Sequence, residues 1–348
     1  MHKARERKEP FLTMRSLARF LCVFINLFLL AGCDQSNPSN DNTANGAVPV
    51  NIGWQIPLAT QGQIIQVLKE EQHLETAGYN PNFIAFSFGS PAVEAALAGE
   101  VDLIIAGDQP AVSLISASSD WIIISRLFYT KVSVLVPLNS EISSPSDLIG
   151  RTIVSPFGSV AHREAYHALS EIGLDPSSAN HRNMDSLELI AMIQNANGEN
   201  WPGVDAVVIW EPSATLFPSV GLARSIRDDN ALVVALARNG FLESNPKFVK
   251  DWNTAWATSW LYFNRHRDEA NRLYLRASNI KIDSKLLDEI ALTDPNSKAT
   301  DLSQVSVKLD SSDLLSLNQA LEWGHDEEFI RSKPDLAERV HSEALKPK

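Results

Sequence analysis

Apolar and polar positions along this chain fall into a repeating strand and helix rhythm. Val48–Gly53 is a short strand pattern ending in Trp54-Gln55, and Ile64, Ile65 and Leu68 then form a helical stripe, with Thr60 and Gln63 at capping-box spacing. Asn82–Phe88 alternates as a strand. After it, Ser90 stands as an N-cap with Pro91 as the first residue of a helix running to Gly99. Leu103–Ala106 reads as a buried strand, and Asp108-Gln109-Pro110 opens the next helix. Ile122–Phe128 and Val132–Val136 read as two further strands. Thr152–Ser155 is a strand feeding, through Phe157-Gly158-Ser159, a helix from Val160 to about Ile172, and another helix covers about Leu187–Asn195. Val204–Ile209 is nearly all apolar, as expected of a parallel strand covered on both faces, and Trp210-Glu211-Pro212 ends it. A strand near Ala223–Ile226 and a second apolar stretch at Ala231–Ala237 follow. From Asn245 the pattern is helical: Trp252, Trp256 and Trp260 recur every fourth residue and predict a face packed on the core. Leu314–Trp323 and Pro334–Leu345 read as surface helices.

Two stretches share one grammar. Gly99-Glu100-Val101-Asp102 leads into Leu103–Ala106 and then Gly107-Asp108-Gln109-Pro110. Gly203-Val204-Asp205 leads into Ala206–Ile209 and then Trp210-Glu211-Pro212. Strand-then-helix repetition predicts an α/β fold with a parallel or mixed sheet. Ligands of such sheets bind beyond the carboxyl ends of the strands, so two such units facing each other form a two-lobed clamp. The length of 348 residues fits two lobes better than one core.

The first 32 residues stand apart. Met1–Arg19 holds six basic residues, Phe20–Leu30 is apolar apart from Asn26, and Leu30-Ala31-Gly32-Cys33 follows, so residues 1–32 read as a secretory signal. Met14 offers an alternative start. Cys33 is the expected lipidation site, because this ending resembles the bacterial lipobox. Asp34 resembles the inner-membrane retention signal of Gram-negative lipoproteins. Residues 33–48 are Asn- and Ser-rich and read as a flexible, lipid-anchored linker. Cys22 lies in the discarded segment, which leaves no internal disulfide. Without residues 1–32, 24 basic residues face 40 acidic ones, a net charge of −16. That excludes nucleic-acid binding through a basic face but not a small anion held by helix starts.

An ordered set of motifs carries a family resemblance: Phe88-Gly89-Ser90-Pro91 with Glu94–Leu97, Gly99–Asp102, Ser146-Asp147-Leu148 with Gly150-Arg151, Phe157-Gly158-Ser159 with His162, Gly173-Leu174, and Val204-Asp205-Ala206 with Trp210-Glu211-Pro212. The set resembles the solute-binding proteins of ABC importers for nitrate, aliphatic sulfonates and taurine, a family that also holds thiamine-precursor binders. The resemblance implies a two-lobed periplasmic-binding-protein type II fold, with a hinge of crossing strands and C-terminal helices. Its expected division is lobe 1 at 49–136, lobe 2 at 137–231, and a return to lobe 1 with the C-terminal helices at 232–348. It implies a monomeric partner of a permease and its ATPase in the cell envelope, on the outer face of the cytoplasmic membrane, with no cofactor and no catalysis. Ligand loops carried over by resemblance are Trp54 and Gln55, Gly89 and Ser90, Asp108 and Gln109, Gly158, Ser159 and His162, and Trp210 and Glu211.

The chemistry of these residues points the same way. Ser90 and Ser159 stand at helix starts, where free N–H groups and a hydroxyl suit an anion. Gln55 and Gln109 add neutral donors. His162, in a first helical turn, is expected to be a neutral donor, and it has no partner at metal-binding spacing. Glu211 either meets the ammonium of a zwitterion such as taurine or turns to its own helix start. Trp54 and Trp210 at two strand ends suit an apolar tail or, facing each other, a pyrimidine-like ring. An enzyme built on Ser159, His162 and Asp205 is disfavoured, because no G-x-S-x-G elbow is present. A small organic anion, an aliphatic sulfonate or taurine, is the expected solute; a thiamine-precursor pyrimidine or a sensory role is the alternative.

Overall fold

The computed structural model describes residues 46–346. The signal segment, Cys33 and nearly all of the linker lie outside the described residues. Eight strands form one sheet: β1 (Val48–Gln55), β2 (Tyr79–Phe86), β3 (Leu103–Gly107), β4 (Trp121–Val136), β5 (Thr152–Ser155), β6 (Asn180–Asn183), β7 (Ala206–Trp210) and β8 (Arg224–Arg238). The helices in chain order are α1 (Ala59–Glu70), α2 (His73–Thr76), α3 (Gly89–Leu97), α4 (Asp108–Ala117), α5 (Val160–Ser170), α6 (Ser186–Ala196), α7 (Ser213–Ser219), α8 (Asn239–Ser244), α9 (Phe248–Arg265), α10 (Arg267–Ser278), α11 (Ser284–Ala291) and α12 (Ser311–Asp326). Among the described residues no helix is long and apolar enough to cross a membrane.

The strand order is β2-β1-β3-β8-β4-β7-β5-β6. Within β2-β1-β3 and within β6-β5-β7 the pairing is parallel, and β3 and β7 each meet a long strand antiparallel. The order therefore mirrors itself: β2, β1, β3 and β8 make up one half, and β6, β5, β7 and β4 make up the other in the matching arrangement. Where two separate strands are expected at Ile122–Phe128 and Val132–Val136, one 16-residue strand, β4, runs through. Ala223–Ile226 and Ala231–Ala237 likewise fuse into the 15-residue β8. Polar Tyr129-Thr130-Lys131 and Arg227–Asn230 interrupt the apolar runs but not the backbone ladder, because β4 and β8 pair antiparallel along nearly their whole length. The two long strands are thus the shared middle of the sheet.

Two helix starts differ from expectation. Leu58, not Thr60, caps α1, and Phe88, not Ser90, caps α3, neither with a side-chain hydrogen bond. Ser90 is spent on a tertiary bond, donating to the Phe157 carbonyl at 3.1 Å. Ser159 does cap α5, accepting from the N–H groups of Ala161 and His162. Strand β6 is polar, half exposed and at the sheet edge, so no hydrophobic pattern announces it. The expected helix at Pro334–Leu345 is instead two short 3-10 turns, drawn out of helical form by bridges from Val340 to Ile123 and from Leu345 to Leu309. Trp252, Trp256 and Trp260 are fully buried, as the packed-face reading requires.

Candidate functional site

At the carboxyl ends of the sheet's strands lies a small buried cavity of about 20 Å³, the space of roughly one water. Four helix starts reach its wall: Leu58 caps α1, Gly89 opens α3, Gly107 caps α4 with Pro110 in its first turn, and Ser159 caps α5 with Val160 following. The starts of α1, α3 and α4 have no side-chain cap from the capping residue. Each helix start carries the positive end of a dipole, and those of α1 and α3 have no side-chain cap on their first N–H groups, so four starts at one cavity create a site for negative charge. Gln55 at the end of β1 and Trp210 at the end of β7 complete the sides. Thr130 of β4 and Val233 of β8 form the floor.

The walls touch closely. A β-carbon on Gly107 would sit 2.5 Å from Val160 Cγ1, and one on Gly89 would sit 2.5 Å from Pro110 Cγ. Only glycine allows these approaches.

Gln55, Gly89, Ser159 and Trp210 thus line the cavity, and the other expected contacts do not. Gln55 donates from Nε2 to the Ile105 carbonyl at 3.3 Å, and its backbone N–H donates to Gln61 Oε1 at 2.5 Å. The Ser159 hydroxyl is fully engaged, donating to the Pro156 carbonyl at 2.6 Å while capping α5. Trp54, one residue before Gln55 on a strand, packs into the core with Ile52 and α1 instead. Trp210 lines the cavity and Trp54 does not, so the two do not face each other across it.

Asp108 is buried and pairs with Arg163 of α5 at 2.5 Å, while its other oxygen accepts from the Gln109 N–H at 2.7 Å. Burial pushes its carboxyl up and the Arg163 guanidinium opposes that. Gln109 is buried against α12, where a β-carbon on Gly324 would lie 2.9 Å from its Nε2. Glu211 turns back onto α7: it accepts from Thr215 Oγ1 at 2.5 Å and from the Thr215 N–H at 3.1 Å, with Lys131 Nζ at 3.5 Å. Burial lifts its pKa to about 7 against the pull of Lys131. No carboxylate therefore stands in the cavity wall.

His162 is buried behind the site rather than in it. The Gly158 N–H donates to its Nδ1 at 3.2 Å, which leaves the proton on Nε2. Phe157 stacks on the ring at 4.0 Å, and Tyr166, Trp323 and Phe329 meet it edge to face at 5.3, 5.4 and 4.6 Å. Burial lowers its pKa to about 3, so the imidazole is neutral, as its place in a first helical turn predicts.

Thr130, Val233, Leu58, Gly107, Pro110 and Val160 line the cavity without having been singled out from sequence. Gly107 and Pro110 flank Asp108-Gln109 in the motif itself. Thr130 fell in the gap between two supposed strands. Other features are weaker candidates. A wider groove of about 620 Å³ over Asn264, Arg267, Arg272 and Asp288 is an open surface hollow with charges of both signs. Glu164, His167 and Asp229 cluster as metal ligands do, but Arg227 already bonds Glu164 and Glu171 at 2.5 Å each, so the carboxylates are neutralised within the protein.

Comparison with known proteins now bears on the cavity. No family model matches the chain. It is 25% identical over 212 residues to the taurine-binding periplasmic protein of Escherichia coli K12, a match covering 59% of this chain and 63% of that one. A putative aliphatic sulfonates-binding protein of the same organism is 26% identical over 216 residues, 58% of this chain and 62% of that one. The chain thus spans just under two thirds of the curated relatives it matches. The alkanesulfonate-binding protein of Xanthomonas axonopodis pv. citri, solved bound to MOPS, superposes with a TM-score of 0.69 at 18% identity, covering 86% of this chain and 99% of that one. The chain is similar to these taurine- and sulfonate-binding periplasmic proteins. Its fold is that of the periplasmic binding proteins, as the mirrored sheet requires. The named relatives are binding proteins rather than enzymes, and this chain carries its cavity where open α/β sheets carry ligands.

Proposed function

We propose that the chain is the lipid-anchored, extracytoplasmic solute-binding component of an ABC importer and that it captures a small aliphatic sulfonate in the cavity. The observation that carries this reading is the convergence of four helix starts on one small buried cavity whose wall holds no carboxylate. Helix dipoles and N–H groups suit the anionic head, while Leu58, Pro110, Val160, Trp210 and Val233 suit a short apolar tail. Taurine fits less well, because its ammonium finds no carboxylate: Asp108 is held by Arg163 and Glu211 by Lys131 and Thr215. The names of the taurine- and sulfonate-binding relatives support the same solute class.

The lobes expected at 49–136 and 137–231, with the return at 232–348, would close by flexing β4 and β8 where they pass from one half of the sheet to the other. As they stand the walls leave room for about one water, so holding a solute needs them to part. The closed form is what a permease with its ATPase would engage, and Cys33 would tether the protein to the membrane. Thermal-shift titration of residues 46–348 tests the reading. An alkanesulfonate at a hundred times its Kd should add about 2.7 kcal/mol of stability. Shifts with taurine but not with ethanesulfonate would reverse the solute assignment, and no shift with either would remove it. Release of the chain from membranes by Cys33→Ser tests the anchor.

A further inference from the structure

Thr130 presents a feature that the fold alone does not require. Its side chain is buried, it lines the cavity, and its hydroxyl has no hydrogen-bond partner among the described residues. A buried hydroxyl left unpaired is destabilising, so such a group persists where something outside the fold completes it. The neighbouring polar side chains are partly committed: Ser159 donates its one hydroxyl hydrogen to the Pro156 carbonyl, and Gln55 gives one Nε2 hydrogen to the Ile105 carbonyl. Lys131, the adjacent cation, is tied to Glu211.

The backbone around Thr130 is held firmly. The Tyr129 N–H donates to Asp294 Oδ2 at 2.8 Å, the Lys131 carbonyl accepts from the Glu211 N–H at 3.2 Å, and Thr130 itself stands opposite Ala231 of β8. The hydroxyl therefore sits at a fixed point on the two long strands, beneath the helix starts rather than among them.

Resting on the sulfonate reading above, we infer that Thr130 is the specificity-determining donor of this site, placing its hydroxyl under one oxygen of a tetrahedral anionic head whose other oxygens face the helix starts. A sulfonate has three oxygens spread in three directions, so it meets floor and rim at once. A planar carboxylate has two oxygens and engages the rim alone. Thr130 thereby selects sulfonates over carboxylates with the same tail.

The test is calorimetric titration of the full-length chain and its Thr130→Val and Thr130→Ser variants with ethanesulfonate and with propanoate. Thr130→Val removes the hydroxyl but keeps the shape, and should weaken ethanesulfonate roughly tenfold or more while leaving propanoate nearly unchanged. Thr130→Ser restores the donor and should restore sulfonate affinity. The melting temperature of ligand-free Thr130→Val should equal or exceed that of the wild type, since no internal bond is lost. Undiminished ethanesulfonate binding by Thr130→Val, or equal losses for both anions, overturns the inference and leaves the sulfonate reading standing. A ligand-free melting temperature that falls in Thr130→Val would assign the hydroxyl to the fold instead. Failure of the wild type to bind ethanesulfonate would remove both.

Discussion

The two halves of the sheet begin alike and part at one residue. Asp102 before β3 accepts from the Asn51 N–H at 3.0 Å, and Asp205 before β7 accepts from the Thr152 N–H at 2.8 Å. Both aspartates also pair with an arginine, Arg238 at 2.7 Å and Arg151 at 3.7 Å. Both strands that follow are buried at every position. Beyond the strand the acids take opposite courses. Asp108 reaches out to Arg163 on α5, in the other half, and leaves Gly107 at the mouth of α4 facing the cavity. Glu211 folds back to Thr215 and closes the start of its own helix α7, so that only Trp210 faces the cavity from that side. At this matched turn one half offers the solute a helix start, that of α4, and the other offers the aromatic wall of Trp210. The difference teaches that a shared strand-and-acid pattern marks the same place in the fold without assigning the same chemistry.

Substitutions can break this asymmetry in order of size. Gly107→Val should act most strongly, because its side chain would collide with Val160 and hold the walls apart; sulfonate affinity measured by titration should fall on the order of a hundredfold. Asp108→Asn should leave the Arg163 charge unpaired and lower unfolding free energy in urea by about 3 kcal/mol. Glu211→Gln should cost no more than about 1 kcal/mol at pH 7, since it keeps an acceptor for Thr215. If the two acid substitutions cost the same, the contrast drawn between the halves is wrong.

The pH dependence sharpens the same contrast. Glu211 has a folded pKa of about 7, above its ordinary value, so the folded state holds the proton more tightly. Its favourable contribution is full below pH 4.5 and is lost as pH rises through 7, a change of roughly 3 kcal/mol. Glu211→Gln should flatten that part of the stability curve. The smallest effect belongs to His167 on α5. Hydrogen bonds that its ring donates to Asp229 and then to Glu164 raise its pKa to about 9, so its contribution is complete below pH 6.5 and disappears as pH passes 9. The ring is 40% exposed, which screens the pair to less than about 1 kcal/mol; His167→Gln should remove the alkaline decline in thermal unfolding followed by circular dichroism.

Much of the fold was legible because periodicity reports local burial. The two covered strands β3 and β7, the start of α4 at Asp108, the Ser159 cap and the buried tryptophan face of α9 all follow from spacing that a single segment contains. The long strands were not legible as such. Tyr129-Thr130-Lys131 looks like a break until Asp294, Ala231 and Glu211 arrive to pair it. Ser90 had the composition of a cap, yet the distant Phe157 carbonyl took its hydroxyl.

The candidate site divides in the same way. The sequence alone determined that glycine, serine, glutamine and tryptophan would gather at strand ends and helix starts, because those positions depend on contacts a few residues apart. It also determined the acidic balance, which makes the chain a poor candidate for binding nucleic acid through a basic face. Only the tertiary structure decided which of those residues face the cavity. Trp54 and Gln55 are neighbours in the chain but lie on opposite faces of β1, and His162 is one turn from Ser159 but caged by Trp323 and Phe329, more than 150 residues away. Which face of a strand is inward, and which partner claims a hydroxyl or carboxylate, depends on elements that meet only when the chain is packed.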